Sequence, residues 1–320
     1  IVVIGATNAS EEILDPAILR PGRFDRKVYI MKPSLEGREA IFRLYMSKVK
    51  HEASVDVSRL ARKAVGKSPA DIENIVKEAA LIATRRGKDV ITNKELSEAI
   101  ERIELGMKHK IKMTAKEKEM TAYHETGHLI TTYLLHPRND VFKASIIPRK
   151  ATLGVVHPQP REEWFADDRE KILADIKCFL AGYVGEKLKF KVTSNGVAAD
   201  FQAATHLAHT MVWRYGMGTN GLVGDFTVIP ENQLSEELKN RLNQETNRIV
   251  QECLKEVEKL LAQEKELFER FARELLQRDE LEYDEIEAIF AEYGKANPRV
   301  MTPSGGARTD EEKGGARNPG

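Results

Sequence analysis

The chain has 320 residues, enough for two domains with a core each, and its 50 Lys and Arg residues are matched by 50 Asp and Glu. Zero formal net charge leaves no electrostatic footprint for nucleic acid or an anionic membrane surface, and no apolar run approaches the roughly 20 residues of a membrane-spanning helix. The two cysteines, Cys178 and Cys253, stand far apart outside any C-x-x-C pattern and read as buried thiols of a reducing compartment, not as a disulfide.

IVVIGATN (1–8) is a β-branched run without an initial Met, expected to form a central strand of a parallel sheet in a fragment of a longer protein. Asn8 ends that strand, at the edge where α/β sheets bind ligands. DPAILRPGRFDRKVYI (15–30) is expected to give a short helix, a loop carrying Arg23 and Arg26, and a second short strand. From Leu35 to about Leu105 the pattern is helical. Ser68 caps one helix with Pro69 in its first position, and Thr92 caps another, with Glu95 completing a capping box. GKS at 66–68 imitates the end of a P-loop, but Ala61 stands where that motif needs Gly and no strand precedes it. It reads as a helix cap, and the sequence has no Walker A motif.

A basic connector, GMKHKIKM (106–113), leads into TAYHETGHLITTYLL (121–135). Ala122, Leu129, Ile130 and Leu134 have helical spacing, so His124 and His128, four apart, share a face and can reach one metal ion. Glu125 sits one step round, placed to take a proton from a water on that metal as general base. This is the zincin pattern, expected by chance only about 0.03 times in a chain of this composition. A catalytic zinc wants a third protein ligand. The metzincin spacing fails, and the residues alone leave Glu186, Asp200, His206 and His209 as candidates.

VFKASIIPRKATLGVV (141–156) reads as two short strands around a Pro-Arg-Lys turn, and helices follow. From about Ser235 to Tyr293 the chain is amphipathic, with Ile249, Cys253, Val257, Leu260 and Leu261 on one face. The remainder, rich in Gly and Pro and without aromatics, is expected to be a disordered tail.

Two blocks carry a family resemblance. GATN with LDPAILRPGRFDRKV resembles the second half of an AAA ATPase core. AYHETGH, with GVAADFQAAT and MVWRYGMG downstream, resembles the peptidase domain of the FtsH family, the membrane-anchored AAA zinc proteases; together the blocks cover roughly residues 1–293. The resemblance implies a mostly α fold with a small α/β part. Its divisions would be the C-terminal end of an AAA core (1–33), the helical lid (34–106), a mainly helical zinc-peptidase domain (107–294) and the tail (295–320).

It also assigns residues. Asn8 corresponds to sensor 1, and Arg23 and Arg26 to arginine fingers that reach a neighbouring subunit's nucleotide. Asp200 falls where the family has its ligating aspartate, and Glu186 where a glutamate orients a ligand histidine. His206 and His209 receive no role. ATLGVV (151–156) corresponds to the substrate-binding edge, and Pro69 departs from the family's usual Gly beside the adenine contact. The implied protein is an ATP-dependent zinc endopeptidase acting on unfolded or membrane proteins. It would be a homo-hexamer using Zn²⁺, ATP and Mg²⁺, with a membrane anchor and phosphate-binding segments upstream of Ile1 and its catalytic part on the cytoplasmic side. The rival readings are a non-proteolytic AAA chaperone with a relic peptidase fold and a helical assembly module.

Overall fold

The computed structural model describes residues 1–106, 112–149, 152–161, 164 and 166–295. The expected tail beyond Lys295, residues 107–111 of the basic connector, and Lys150 and Ala151 of the expected turn lie outside the described residues. The chain divides into two compact units, 1–105 and 106–320.

In the first unit, residues 1–8 do not form the expected strand, nor do residues 15–30 form a helix and strand. Ile1, Val2, Val3 and Ile4 are exposed, as are Val28, Tyr29 and Ile30. The physical reason is pairing: a strand's N–H and C=O groups need a neighbouring strand, and among the described residues none lies against these runs. A short 3-10 turn, Glu11–Ile13, forms instead, and Glu11 accepts from Lys27 and Tyr29.

Helices begin where apolar periodicity does. Ser34 caps α1 (Leu35–Met46), which is followed by α2 (Val57–Lys63), α3 (Pro69–Arg85) and α4 (Asn93–Leu105). Ser68 and Asp71 form the capping box of α3, with Pro69 at its first position, as read from GKSP. Ile72, Ile75, Val76, Ala79, Ile82 and Ala83 repeat every three or four residues and close the core with Phe42, Met46, Leu60 and Leu96. Arg38 is buried there because its guanidinium donates to the carbonyls of Ala61 and Pro33, at 2.8 and 3.0 Å.

In the second unit Thr114 and Glu117 form a reciprocal cap on α5 (Ala115–Leu135), the helix that carries the two histidines. A chain reversal gives the antiparallel pair β1 (Asn139–Ser145) and β2 (Val155–Pro160); two strands were expected within 141–156, and the second begins later than expected and shares only Val155 and Val156 with that reading. A third strand that periodicity did not signal, β3 (Glu280–Glu282), pairs with the other edge of β1 and sets the order β2–β1–β3. Helices α6 (Arg169–Phe190), α7 (Ala198–Trp213), α8 (Glu236–Gln263), α9 (Lys265–Arg278) and α10 (Tyr283–Glu292) complete the unit.

Helix α6 is the central member, buried on two faces. Ala181 and Val184 join α5, α9 and α10 in one core, with Leu129, Ile130, Phe271 and Phe290. Ile172, Ile176 and Leu180 join α7 and α8 in another, with Met211, Leu242 and Ile249. The apolar face read from residue 235 onward is that of α8: Ile249, Cys253, Val257 and Leu261 are buried, and Leu260 packs half-buried against them. Both cysteines are free, and burial raises the thiol of Cys178 to about 12 and that of Cys253 to about 11, so neither is a ready nucleophile.

Glu95 ties the start of α4 to the end of α3. Its fully buried carboxylate accepts from the Thr92 N–H and hydroxyl, from Lys88 Nζ at 2.9 Å and from Arg86 Nη1 at 3.1 Å. Burial alone would raise its pKa, but hydrogen bonds from Thr92, Lys88 and Arg86 prevail and hold it at about 2, below the ordinary 4.5. A carboxyl depressed by folding stabilises above its unfolded pKa, and that contribution is lost as pH falls from about 4.5 towards 2. Glu95→Gln should therefore lower the stability of the transition that includes α3 and α4 by about 3 kcal/mol at pH 7. The deficit should shrink progressively below pH 4.5, as followed by urea denaturation at a series of pH values.

Candidate metal centre

Three side chains from two elements converge on one point. Helix α5 presents His124 and His128 one turn apart, and Asp200 comes from the first turn of α7. His124 Nε2 and His128 Nε2 lie 3.0 Å apart, and Asp200 Oδ2 lies 3.2 Å from the first and 3.3 Å from the second. Among the described residues these three form the one group of His, Cys, Asp and Glu side chains able to hold a metal ion. A tetrahedral zinc with bonds of roughly 2.0–2.1 Å separates its ligand atoms by roughly 3.3–3.4 Å, so the donors trace one face of such a tetrahedron.

The outer hydrogen bonds fix which nitrogens face inward. His124 Nδ1 donates to Glu186 Oε1 at 2.8 Å, and His128 Nδ1 donates to the Cys178 carbonyl at 2.7 Å. Neither a carboxylate nor a carbonyl can donate in return, so each ring holds a proton at Nδ1 and turns its Nε2 toward the other. Two ring nitrogens and a carboxylate oxygen within 3.3 Å repel unless a proton or a metal cation lies among them. The donor set therefore fits a divalent metal. In the protein by itself, burial opposes a charge on His124, but the Asp200 and Glu186 carboxylates overcome it and raise its pKa to about 10. Burial would raise Asp200, and its bonds to the two histidines lower it instead. Glu186 is lowered in the same contest, by His124 and by Ser194, whose N–H and hydroxyl it accepts at 2.5 and 3.0 Å.

Glu125 lies one step round α5 and is 5% exposed. Burial raises its pKa, against the opposing pull of His128 and His124. A desolvated carboxylate beside the donor triangle is a stronger proton acceptor than one in water. Glu186, from α6, lies behind His124 on the side away from the triangle, and so supports the ring without joining the donor set. His206 is exposed and His209 stacks on Trp213 at 4.8 Å; neither reaches the triangle. Asn8, Arg23 and Arg26 are exposed in the first unit, where Arg23 Nη1 donates to the Ala17 carbonyl at 2.7 Å.

Sequence reasoning passed over the glycines that make this approach possible. A Cβ on Gly182 would stand 2.4 Å from His124 Cε1, 2.5 Å from His124 Nε2 and 2.6 Å from His128 Nε2. One on Gly127 would stand 2.3 Å from the Ala181 carbonyl oxygen, and one on Gly185 2.5 Å from the Tyr123 oxygen. The available signal was glycine inside helical patterns, at a cost of about 1 kcal/mol each against alanine, which asks for a packing reason. Ser194 was likewise visible only as a loop residue.

Residues 111–289 match the model of peptidase family M41, and residues 54–98 match that of an AAA+ lid domain. The chain is 38% identical over 294 residues to the ATP-dependent zinc metalloprotease FtsH of Neorickettsia risticii, an alignment covering 89% of this chain and 46% of that protein. It is 36% identical over 301 residues to the ATP-dependent zinc metalloprotease FtsH of Thermus thermophilus, covering 90% of this chain and 47% of the other. With ATP-dependent zinc metalloprotease FtsH 1 of Sphaerobacter thermophilus it shares 35% identity over 337 residues, covering 100% and 52%. The chain thus spans about half the length of the curated relatives it matches.

A methyl group at position 182 cannot coexist with the present ring positions. Gly182→Ala should weaken metal affinity by about 100-fold, comparable to the loss of a strong outer hydrogen bond to a ligand. Zinc retained per chain after dialysis against a mild chelator measures this, with circular dichroism to show that the helices persist. Full zinc occupancy would mean that the rings find room elsewhere.

Proposed function

The chain belongs to peptidase family M41, and on that premise we propose that it carries the proteolytic centre of an ATP-dependent zinc endopeptidase. The observation that carries the reading is the triangle of His124, His128 and Asp200 donors, 3.0–3.3 Å on its edges, with the buried Glu125 carboxylate beside it. In this reading His124, His128 and Asp200 hold zinc, and Glu186 keeps the His124 ring aligned. Zinc, when bound, polarises a carbonyl oxygen and makes water acidic enough to lose a proton near neutral pH. Glu125 accepts that proton and returns it to the leaving amine, a task its raised pKa suits.

The unpaired edge of β2 supports a peptide-binding role. It stands last in the sheet order, with no strand of the described residues on its outer side, so an extended peptide can add along Val155 and Val156 through backbone hydrogen bonds. Pro158 and Pro160 have no N–H to offer, which confines pairing to the end of the strand nearest Glu125. Backbone recognition of this kind tolerates many side chains and suits unfolded polypeptides as substrates.

The remaining assignments follow the same premise. Residues 1–33 are the end of an AAA core, 34–106 the lid, 107–294 the peptidase domain and 295–320 a tail. Asn8 serves as sensor 1, and Arg23 and Arg26 reach a neighbouring subunit's ATP and Mg²⁺, which calls for a ring, by resemblance a hexamer. Membrane anchoring with the catalytic part on the cytoplasmic side belongs to the proposed intact protein. No described helix is long and apolar enough to cross a membrane.

Three substitutions test the centre. Glu125→Gln should keep zinc while casein cleavage falls by about 10²–10⁴. Asp200→Ala should lose most zinc and all cleavage, whereas Glu186→Ala should weaken metal affinity by about 10–100-fold. Zinc per chain and casein hydrolysis are the readouts. Full zinc in Asp200→Ala with an empty Glu186→Ala would reverse those two roles, and near-normal cleavage by Glu125→Gln would remove the base.

A further inference from the structure

Glu125 is confined by a residue that has no side chain. Gly154 is buried and immediately precedes β2. A Cβ at that position would stand 2.6 Å from Glu125 Oε1, 2.7 Å from its Cγ and 2.8 Å from its Cδ. The backbone of Gly154 is not in the left-handed region, so its conformation would accept alanine. Space excludes a methyl group there. The overlap reaches back to Cγ, so turning the terminal carboxylate does not relieve it, and the whole side chain would have to leave its place.

Glu125 has little else to hold it. Burial and the charges of His128, His124 and Asp200 act on its carboxylate, and among the described residues no hydrogen-bond donor anchors it. Position matters steeply for proton transfer, since a displacement of about 1 Å can cost about 100-fold in rate. The same residue joins the base to the strand along which a peptide would lie.

We propose that Gly154 is a positioning residue of the reaction: its bare Cα forms the wall against which the Glu125 carboxylate rests, and so sets the distance between the base and the peptide edge. The inference rests on the reading of Glu125 as general base. It assigns to the start of β2 a second task beside pairing with substrate, and it explains glycine at a position whose φ does not require one.

The test is a double-mutant cycle in the full chain with zinc bound, using Gly154→Ala, Glu125→Ala and the two combined. Zinc per chain is measured, together with kcat and KM on an internally quenched fluorogenic peptide. Gly154→Ala should keep its zinc and its KM while kcat falls by about 100-fold. Alanine at 125 ends at Cβ and removes the Cγ, Cδ and Oε1 atoms that a methyl at 154 would meet. In the Glu125→Ala background the same Gly154→Ala change should alter the residual kcat by less than about 3-fold, the coupling expected of residues in contact. An equal loss in both backgrounds would mark a general structural role and overturn the proposal, as would loss of zinc or unchanged kcat in Gly154→Ala. Near-native kcat in Glu125→Ala with full zinc would overturn the reading of Glu125 as base, and this inference with it.

Discussion

Helices α5 and α6 meet so closely that a single methyl group on either would separate them. Gly127 faces the Ala181 carbonyl, Gly185 faces the Tyr123 carbonyl, and Gly182 faces both imidazoles. The close contact brings the backbone of Cys178 within reach of His128 and the carboxylate of Glu186 within reach of His124. The outer hydrogen bonds that fix both tautomers therefore depend on the absence of side chains at these crossings. Burial on both faces of α6 holds the arrangement rigid, because the core with α5 on one side and the core with α7 and α8 on the other leave it no direction in which to move.

The centre gathers like charges that the fold alone does not reconcile. Asp200, Glu186 and Glu125 bring three carboxyl groups around two histidines in a largely buried space. Folding gives Glu186 donors in Ser194 and His124 and gives Asp200 the histidines, but it leaves Glu125 desolvated. A divalent cation at the triangle would offset much of this negative charge while leaving Glu125 its affinity for a proton. Site chemistry and site stability are thus coupled through one ion.

Much of the fold and part of the centre could be read from the residues. His124 and His128 were legible because a helix repeats every 3.6 residues, and the caps at Ser68 and Thr92 because capping is local chemistry. Asp200 was not: a carboxylate 72 positions beyond His128 is brought near by the packing of α6 and α7, and only family resemblance distinguished it from Glu186, His206 and His209. The β-branched run at 1–8 misled because strand propensity describes a residue's fit to a sheet, and no described strand pairs with it. Strand β3 escaped notice because three residues carry no period. Gly154 and Gly182 had no signal beyond their identity, since what they exclude lies on other elements.

The two prolines of β2 also bear on how long a bound peptide would stay. Among the described residues no strand pairs with the outer edge of β2, and alternate residues of a strand point their N–H and C=O groups to the same edge, so a peptide added ahead of Pro158 would form about two or three hydrogen bonds. At about 1 kcal/mol net for each, such pairing holds a chain only weakly, in the millimolar range or above. Cleaved pieces would then leave quickly instead of accumulating on the edge. The same brevity denies another molecule's strand a lasting template, so an edge this short is a poor seed for aggregation.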